Sequence, residues 1–286
     1  MYPSPFEYHR ASSVDDALAL LAKYPDDSKL IAGGHSLLPV MKLRFAQPAH
    51  LIDIRRVQEL AGVREADGAV IIGAATTHAA VASALGTRVP MLAEAAGRIG
   101  DAQVRNMGTI GGSLAHADPA ADLPAVVLAL GATLRAVGRR GARTIPADQF
   151  FTGMFTSALA PDELLVEVRV PLPPARTGGA YEKYADPASG YAVVGVAAVV
   201  TLGDDGSVRQ TRVGLTGLAT HATRLAAVEQ ALTGKAATPE LIEAAAARAA
   251  DELELREVSD AAYKANLAAV YTRRALSRAV ERARSG

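Results

Sequence analysis

The chain of 286 residues contains no cysteine. That excludes any disulfide, thiolate zinc site or Cys-ligated iron–sulfur cluster within it. Tryptophan is also absent and aromatics are only 5% of the residues, so the interior must be built from Ala, Val, Leu and Ile. Neither charge is in excess: 30 Lys and Arg balance 30 Asp and Glu, without the basic stripe of a nucleic-acid binder. Long hydrophobic runs are missing too. The longest, around 124–134, is too short to span a bilayer and is interrupted by Gly131. Residues 1–25 carry Asp15 and Asp16 in place of a basic start and an apolar stretch, so no signal peptide and a cytoplasmic location are expected.

What the chain does have is two adjacent-glycine pairs in small-residue loops. Ile31-Ala32-Gly33-Gly34-His35-Ser36 runs into Leu37-Leu38, and Gly108-Thr109-Ile110-Gly111-Gly112-Ser113 runs on to His116, Asp118 and Asp122. Adjacent glycines tolerate positive φ and leave backbone amides bare, so each loop can form an anion-binding nest. Two nests far apart in the chain suggest a ligand with two phosphates held from both sides. The alternative for the first is an ordinary βα turn. Neither pair has the spacing of G-x-G-x-x-G or of a P-loop.

Local patterns place these loops. Ser13 caps a helix with acidic first-turn residues, Lys29–Ala32 reads as a strand, and Ser36 is positioned to cap a second helix. With a strand at Leu51–Ile54 this makes a small β-loop-α-β unit. Further strands are expected at Ala69–Ala74, from Leu134, and at Glu163–Val170. Helices are expected from Thr77-His78, over Pro90–Ile99 and over Pro124–Leu130. The Pro- and Gly-rich stretch 171–179 reads as a linker. Beyond it come β segments at Tyr191–Leu202 and Val208–Leu218, then helices near 222–233, 238–252 and 259–282. Strands followed by helices predict an α+β unit with helices on one face of an antiparallel sheet.

His35, His78 and His116 show no i, i+4 pair, so no metal site is expected. No nucleophile–base set is present, and no catalytic residue is assigned. Asp122 is either a ligand acceptor or a cap for a helix starting at Leu123.

The motifs AGGHS and TIGGSLAHADPAAD, with Pro5–Ala11 near the start and Ser259–Lys264 near the end, resemble the flavoprotein (medium) subunit of the molybdenum hydroxylases. That family includes aerobic carbon monoxide dehydrogenase and the flavin domain of xanthine dehydrogenase. The resemblance implies an α+β fold: a two-lobed FAD-binding domain of the vanillyl-alcohol-oxidase (PCMH) type, then a smaller α+β C-terminal domain. The first would cover residues 1–175, with subdomains of about 1–55 and 56–175, and the second residues 177–283. It further implies an oxidoreductase in which FAD receives electrons from [2Fe-2S] clusters on a small iron–sulfur subunit and passes them to an external acceptor. A large molybdopterin subunit would oxidise the substrate, in a dimer of heterotrimers. A stand-alone flavin oxidoreductase and a flavin-free scaffold are the alternatives.

For the cofactor, the resemblance implies contacts from Ala32, Gly33, Gly34, His35, Ser36 and Leu37, and from Thr77 and His78. It also implies contacts from Gly108, Thr109, Gly111, Gly112, Ser113 and His116, and loosely from the apolar Ile99 and Leu164. Asp122 would meet the adenosine portion, with Asp118 as the competitor. Lys183 would sit near the flavin and Tyr191 over its ring. Their alternatives are an exposed strand lysine and a core tyrosine. Ser113 departs from the asparagine common in the family.

Overall fold

The computed structural model describes residues 2–253 and 260–285. Strand β1 (Glu7–Arg10), helix α1 (Val14–Lys23), β2 (Ser28–Ile31), α2 (Leu37–Lys42) and β3 (His50–Asp53) form the first lobe. Its sheet has the order β1-β3-β2, with β3 parallel to both neighbours. Helix α1 starts where its sequence says: extended Ser13 accepts the Asp16 amide, and Asp15 and Asp16 complement the helix dipole.

The second lobe contains β4 (Val63–Ala66), β5 (Ala69–Gly73), α3 (His78–Ala84), α4 (Pro90–Gly97), α5 (Ala102–Met107), α6 (Ile110–His116) and α7 (Asp122–Ala129). It continues with β6 (Thr133–Gly138), β7 (Gly141–Pro146), the ribbon β8 (Phe151–Gly153) and β9 (Thr156–Ser157), and β10 (Glu163–Pro171). Its main sheet, β4-β5-β10-β6-β7, is antiparallel throughout. The central strand β10 is buried on both faces, and a register shift between Leu165 and Glu167 changes which residues face which side. Leu164 and Val166 join Ala17, Ile52 and Ile54 in a core beneath the first lobe. Leu165, Val168 and Val170 pack into the main core with α4, α6 and α7.

The C-terminal unit has β11 (Thr177–Ala185), β12 (Ala192–Leu202), β13 (Val208–Thr216) and β14 (Thr223–Arg224), paired in that order. It ends with α8 (Ala226–Leu232), α9 (Pro239–Ala246) and α10 (Ala261–Ser285). These helices share a core with one face of the sheet, and α7 of the second lobe packs on the other. Every residue of α7 is buried. Among the described residues, no helix is long and apolar enough to cross a membrane.

The structure corrects the sequence reading at several elements. β1 and α5 were not anticipated, and the expected linker shrinks because Thr177, Gly178 and Gly179 already begin β11. The glycine there serves packing: a Cβ on Gly178 would fall on the Ala279 carbonyl oxygen of α10. Ser259, where the last helix was expected to begin, lies outside the described residues.

The two units meet through an equally bare contact. A Cβ on Gly214 of β13 would overlap the Ala125 carbonyl oxygen of α7. Gly214→Ala is therefore expected to cost about 1–3 kcal/mol through forced separation, measured by denaturant unfolding. Gly86→Ala, which meets nothing within 4 Å, should stay within about 0.5 kcal/mol of the parent.

Candidate functional site

Three loops converge where the lobes meet: 32–37 after β2, 74–78 after β5, and 107–113 into α6. Their backbones touch. A Cβ on Gly33 would strike the Met107 carbonyl oxygen and lie 2.7 Å from the Gly108 Cα. One on Gly108 would lie 2.9 Å from the His78 ring, and one on Gly111 would lie 2.7 Å from the Ala74 carbonyl oxygen. Hydrogen bonds lock the last two loops together. The His78 amide donates to Gly108 (2.9 Å), Ile110 to Thr76 (3.0 Å) and Gly111 to Ala74 (2.8 Å).

The first loop is left open. Among the described residues, no carbonyl or side chain accepts from the amides of Gly34, His35, Ser36 or Leu37. Gly34 has φ 74°, the left-handed conformation that favours glycine. His35 is exposed, with Nδ1 3.0 Å from the Gly33 carbonyl oxygen. Ser36 does not cap α2: it lies in the helical region and makes no capping bond. Its side chain lies near the Tyr191 hydroxyl instead. Burial pushes the Tyr191 phenol up, and the nearby Asp118 charge adds to it. Tyr191 is 43% exposed just before β12, so the core-tyrosine alternative fails.

The second glycine pair is not an open nest. The Gly111 amide is paired with Ala74, and the Gly112 amide with Thr109 Oγ1 at 3.1 Å. Buried Thr109 is the N-cap of α6, and the glycines form that helix's first turn. Gly112 is exposed, and Ser113 and His116 are half-buried. The His116 ring lies 5.2 Å from that of Phe155. Burial lowers its pKa, while Asp118 acts in the opposite direction. Asp118 itself accepts its own loop's Ala120 amide at 2.9 Å.

Three expected contacts turn out to be interior groups. Asp122 is the first residue of α7, not its cap. Its carboxylate accepts from the Tyr181 hydroxyl at 2.5 Å and from Lys183 Nζ at 2.9 Å. The side chains of Lys183 and Asp122 are only 2% and 6% exposed, so neither the flavin-facing cation nor the exposed strand lysine is realised. Burial pushes the Asp122 carboxyl up, with Lys183 and Tyr181 pulling against it. Burial, reinforced by Asp122, holds the Tyr181 phenol well above its usual range, so it remains a donor. Arg98 completes the cluster, donating to the Tyr181 and Lys183 carbonyls at 3.0 and 3.2 Å. Leu164 is spent in the core beneath the first lobe. Ile99 is partly buried against the main core, and Ala32 against the core under the first lobe.

Tyr181 and Arg98 escaped the sequence reading. The available signal was strand alternation, which puts Tyr181 and Lys183 on one face. Thr77 and His78 do start α3, and Thr77 accepts the Ala80 amide at 3.3 Å. His78 is buried with Nδ1 unpartnered. Burial, then the charge of His35, lowers its pKa from 6.5 to about 4.

Four free amides, the Ser36 hydroxyl and the exposed His35 offer donors and no competing carboxylate on the first loop. That donor set fits the diphosphate of a dinucleotide.

The lobed α+β architecture with this amide cradle defines a dinucleotide-binding flavoprotein module joined to an α+β domain. The family described as the FAD binding domain in molybdopterin dehydrogenase matches residues 4–173. The CO dehydrogenase flavoprotein C-terminal domain matches residues 179–279. The carbon monoxide dehydrogenase medium chain of Hydrogenophaga pseudoflava is 46% identical, with 98% of each chain covered. The 6-hydroxypseudooxynicotine dehydrogenase complex subunit alpha of Paenarthrobacter nicotinovorans is 40% identical over 99% of this chain and 97% of its own. A solved carbon monoxide dehydrogenase from Hydrogenophaga pseudoflava superposes with a TM-score of 0.95, at 48% identity and 99% coverage of both chains. The chain belongs to the FAD-carrying medium subunits of the molybdenum hydroxylases, a family of oxidoreductases.

Two tests follow. Gly33→Ala should push the first loop off Met107–Gly108 and lower the affinity for FAD at least about tenfold, as measured by flavin titration. His78 is neutral when folded, so its contribution to stability is complete above pH 6.5 and is lost as the pH falls towards about 4. The cost reaches about 3 kcal/mol. In urea unfolding across that window, His78→Gln should lack this component.

Proposed function

We propose that this chain is the electron-transferring FAD subunit of a heterotrimeric molybdenum hydroxylase. In this reading a small subunit with [2Fe-2S] clusters delivers electrons, a large molybdopterin subunit oxidises the substrate, and two heterotrimers pair. The observation that carries it is whole-length similarity to a medium chain in a sequence without cysteine. Thiolate-ligated clusters cannot reside on this polypeptide, so in this reading they are carried by another.

We assign residues 1–175 to cofactor binding and 177–283 to the C-terminal domain. The amides of Gly34 to Leu37 would hold the diphosphate, with Gly33 setting the loop's position. Thr77, Gly112 and Ser113 would border the cofactor, and Tyr191 would flank it beside Ser36. Bound FAD supplies the conversion between paired and single electron transfers, and the protein supplies binding, orientation and tuning. The Asp122–Tyr181–Lys183 cluster holds β11 against α7 and so sets the Tyr191 loop against Ser36. The known relatives act on different substrates, so the substrate is left to the large subunit.

Purification of the tagged chain from cells that make it tests this. The expected complex contains about four iron atoms and about one molybdenum per FAD. A flavin-loaded chain free of both metals that turns over a substrate alone would instead establish a stand-alone oxidoreductase.

A further inference from the structure

Away from the cofactor loops, the first lobe brings Glu7, His9 and His50 together on one face of its sheet. Among the described residues, this is the one place where three ligand atoms of His, Asp or Glu lie within 4.8 Å of one another. The register explains it. Glu7 on β1 is paired with His50 on the parallel strand β3, and His9 lies two residues along β1. Residues two apart on a strand share a face, so strand pairing aims all three at one point. Tyr8 leaves by the opposite face, where its hydroxyl donates to Asp53 at 2.5 Å.

From these residues we propose a binding site for a divalent transition-metal ion of the zinc type. His9 Nε2 lies 3.0 Å from His50 Nδ1. The Glu7 carboxylate oxygen is 3.8 Å from the first and 3.5 Å from the second. A point equidistant from three atoms so spaced lies about 2.0 Å from each, within bonding range for zinc to imidazole nitrogen and carboxylate oxygen. Two imidazoles and one carboxylate match the three protein ligands of four-coordinate zinc sites whose fourth position is held by solvent. The Glu7 side chain is 71% exposed, which gives an entry path, while those of His9 and His50 are 20% and 17% exposed.

The imidazoles are held by packing. The Tyr24 ring, just past α1, stacks on His50 with centroids 3.6 Å apart and on His9 at 5.0 Å. An aromatic wall that fixes ring orientation pre-organises the ligands. One adjustment accompanies metal binding: whichever imidazole donates in the His9–His50 hydrogen bond moves that proton to its other nitrogen. The bound ion then clips the edge strand β1 to β3. The site departs from the expectation drawn from His35, His78 and His116, because its histidines are 41 residues apart.

The test uses the full chain, loaded with FAD and dialysed against a chelator. Zn2+ is titrated in competition with a chromophoric chelator, and Co2+ is added separately for its visible spectrum. The expected result is one ion per chain, absorption bands of four- or five-coordinate Co2+, and a higher thermal midpoint with Zn2+. Glu7→Gln changes an exposed side chain and should weaken Zn2+ at least about tenfold. His9→Gln should abolish binding and the Co2+ bands, with folding checked by circular dichroism. Absence of saturable binding in the parent chain overturns the proposal. So does unchanged affinity in Glu7→Gln, which keeps the test decisive even if the histidine variant fails to fold.

Discussion

Bare backbone against backbone is the constraint on which the rest of this structure depends. At Gly33 the first lobe touches the Met107–Gly108 turn, at Gly111 helix α6 touches the end of β5, and at Gly214 the C-terminal sheet touches α7. Each contact is closer than any Cβ permits, so the residue type and the geometry require one another. At Gly33 the two lobes therefore meet backbone to backbone, beside the apolar core in which Leu164 and Val166 pack against Ile52 and Ile54. The amides of Gly34 to Leu37, in the loop that this contact positions, have no acceptor among the described residues. A change at Gly33 therefore acts on the packing of the lobes and on the position of the first loop together.

A second layer of order comes from buried charge. Asp122 begins a wholly apolar helix, where an isolated carboxylate would be very costly. Tyr181, Lys183 and the arrangement held by Arg98 make the position tolerable. Such a cluster is weak evidence for net stability, because desolvation offsets most of the attraction. Its specificity is geometric: only one register of β11 against α7 brings Tyr181 and Lys183 to the same carboxylate. The C-terminal unit is thereby located relative to the second lobe, and Tyr191 follows from that placement.

Local signals were readable where a segment's function is local. Helix α1 announced itself through Ser13 and its acidic first turn, and the strand–Gly–Gly–helix pattern marked the first loop. The apolar run of α7 was equally plain. The second glycine pair misled, because adjacent glycines signal either a nest or a close approach, and only the neighbour decides which. Here the neighbour is Ala74, brought in by β5. Glycines in β11 read as a linker for the same reason: their partner, α10, begins about 80 residues further on.

The sequence by itself determined the class of fold, the family and the absence of any thiolate centre, and it marked the two glycine loops. These depend on composition or on residues within a turn of one another. Only the tertiary structure decided that Asp122 and Lys183 face each other rather than a ligand, that the second glycine pair is closed, and that Glu7, His9 and His50 share a point. Each of those outcomes turns on strands and helices far apart in the chain. No local rule determines which distant element arrives with a matching donor, charge or bare carbonyl.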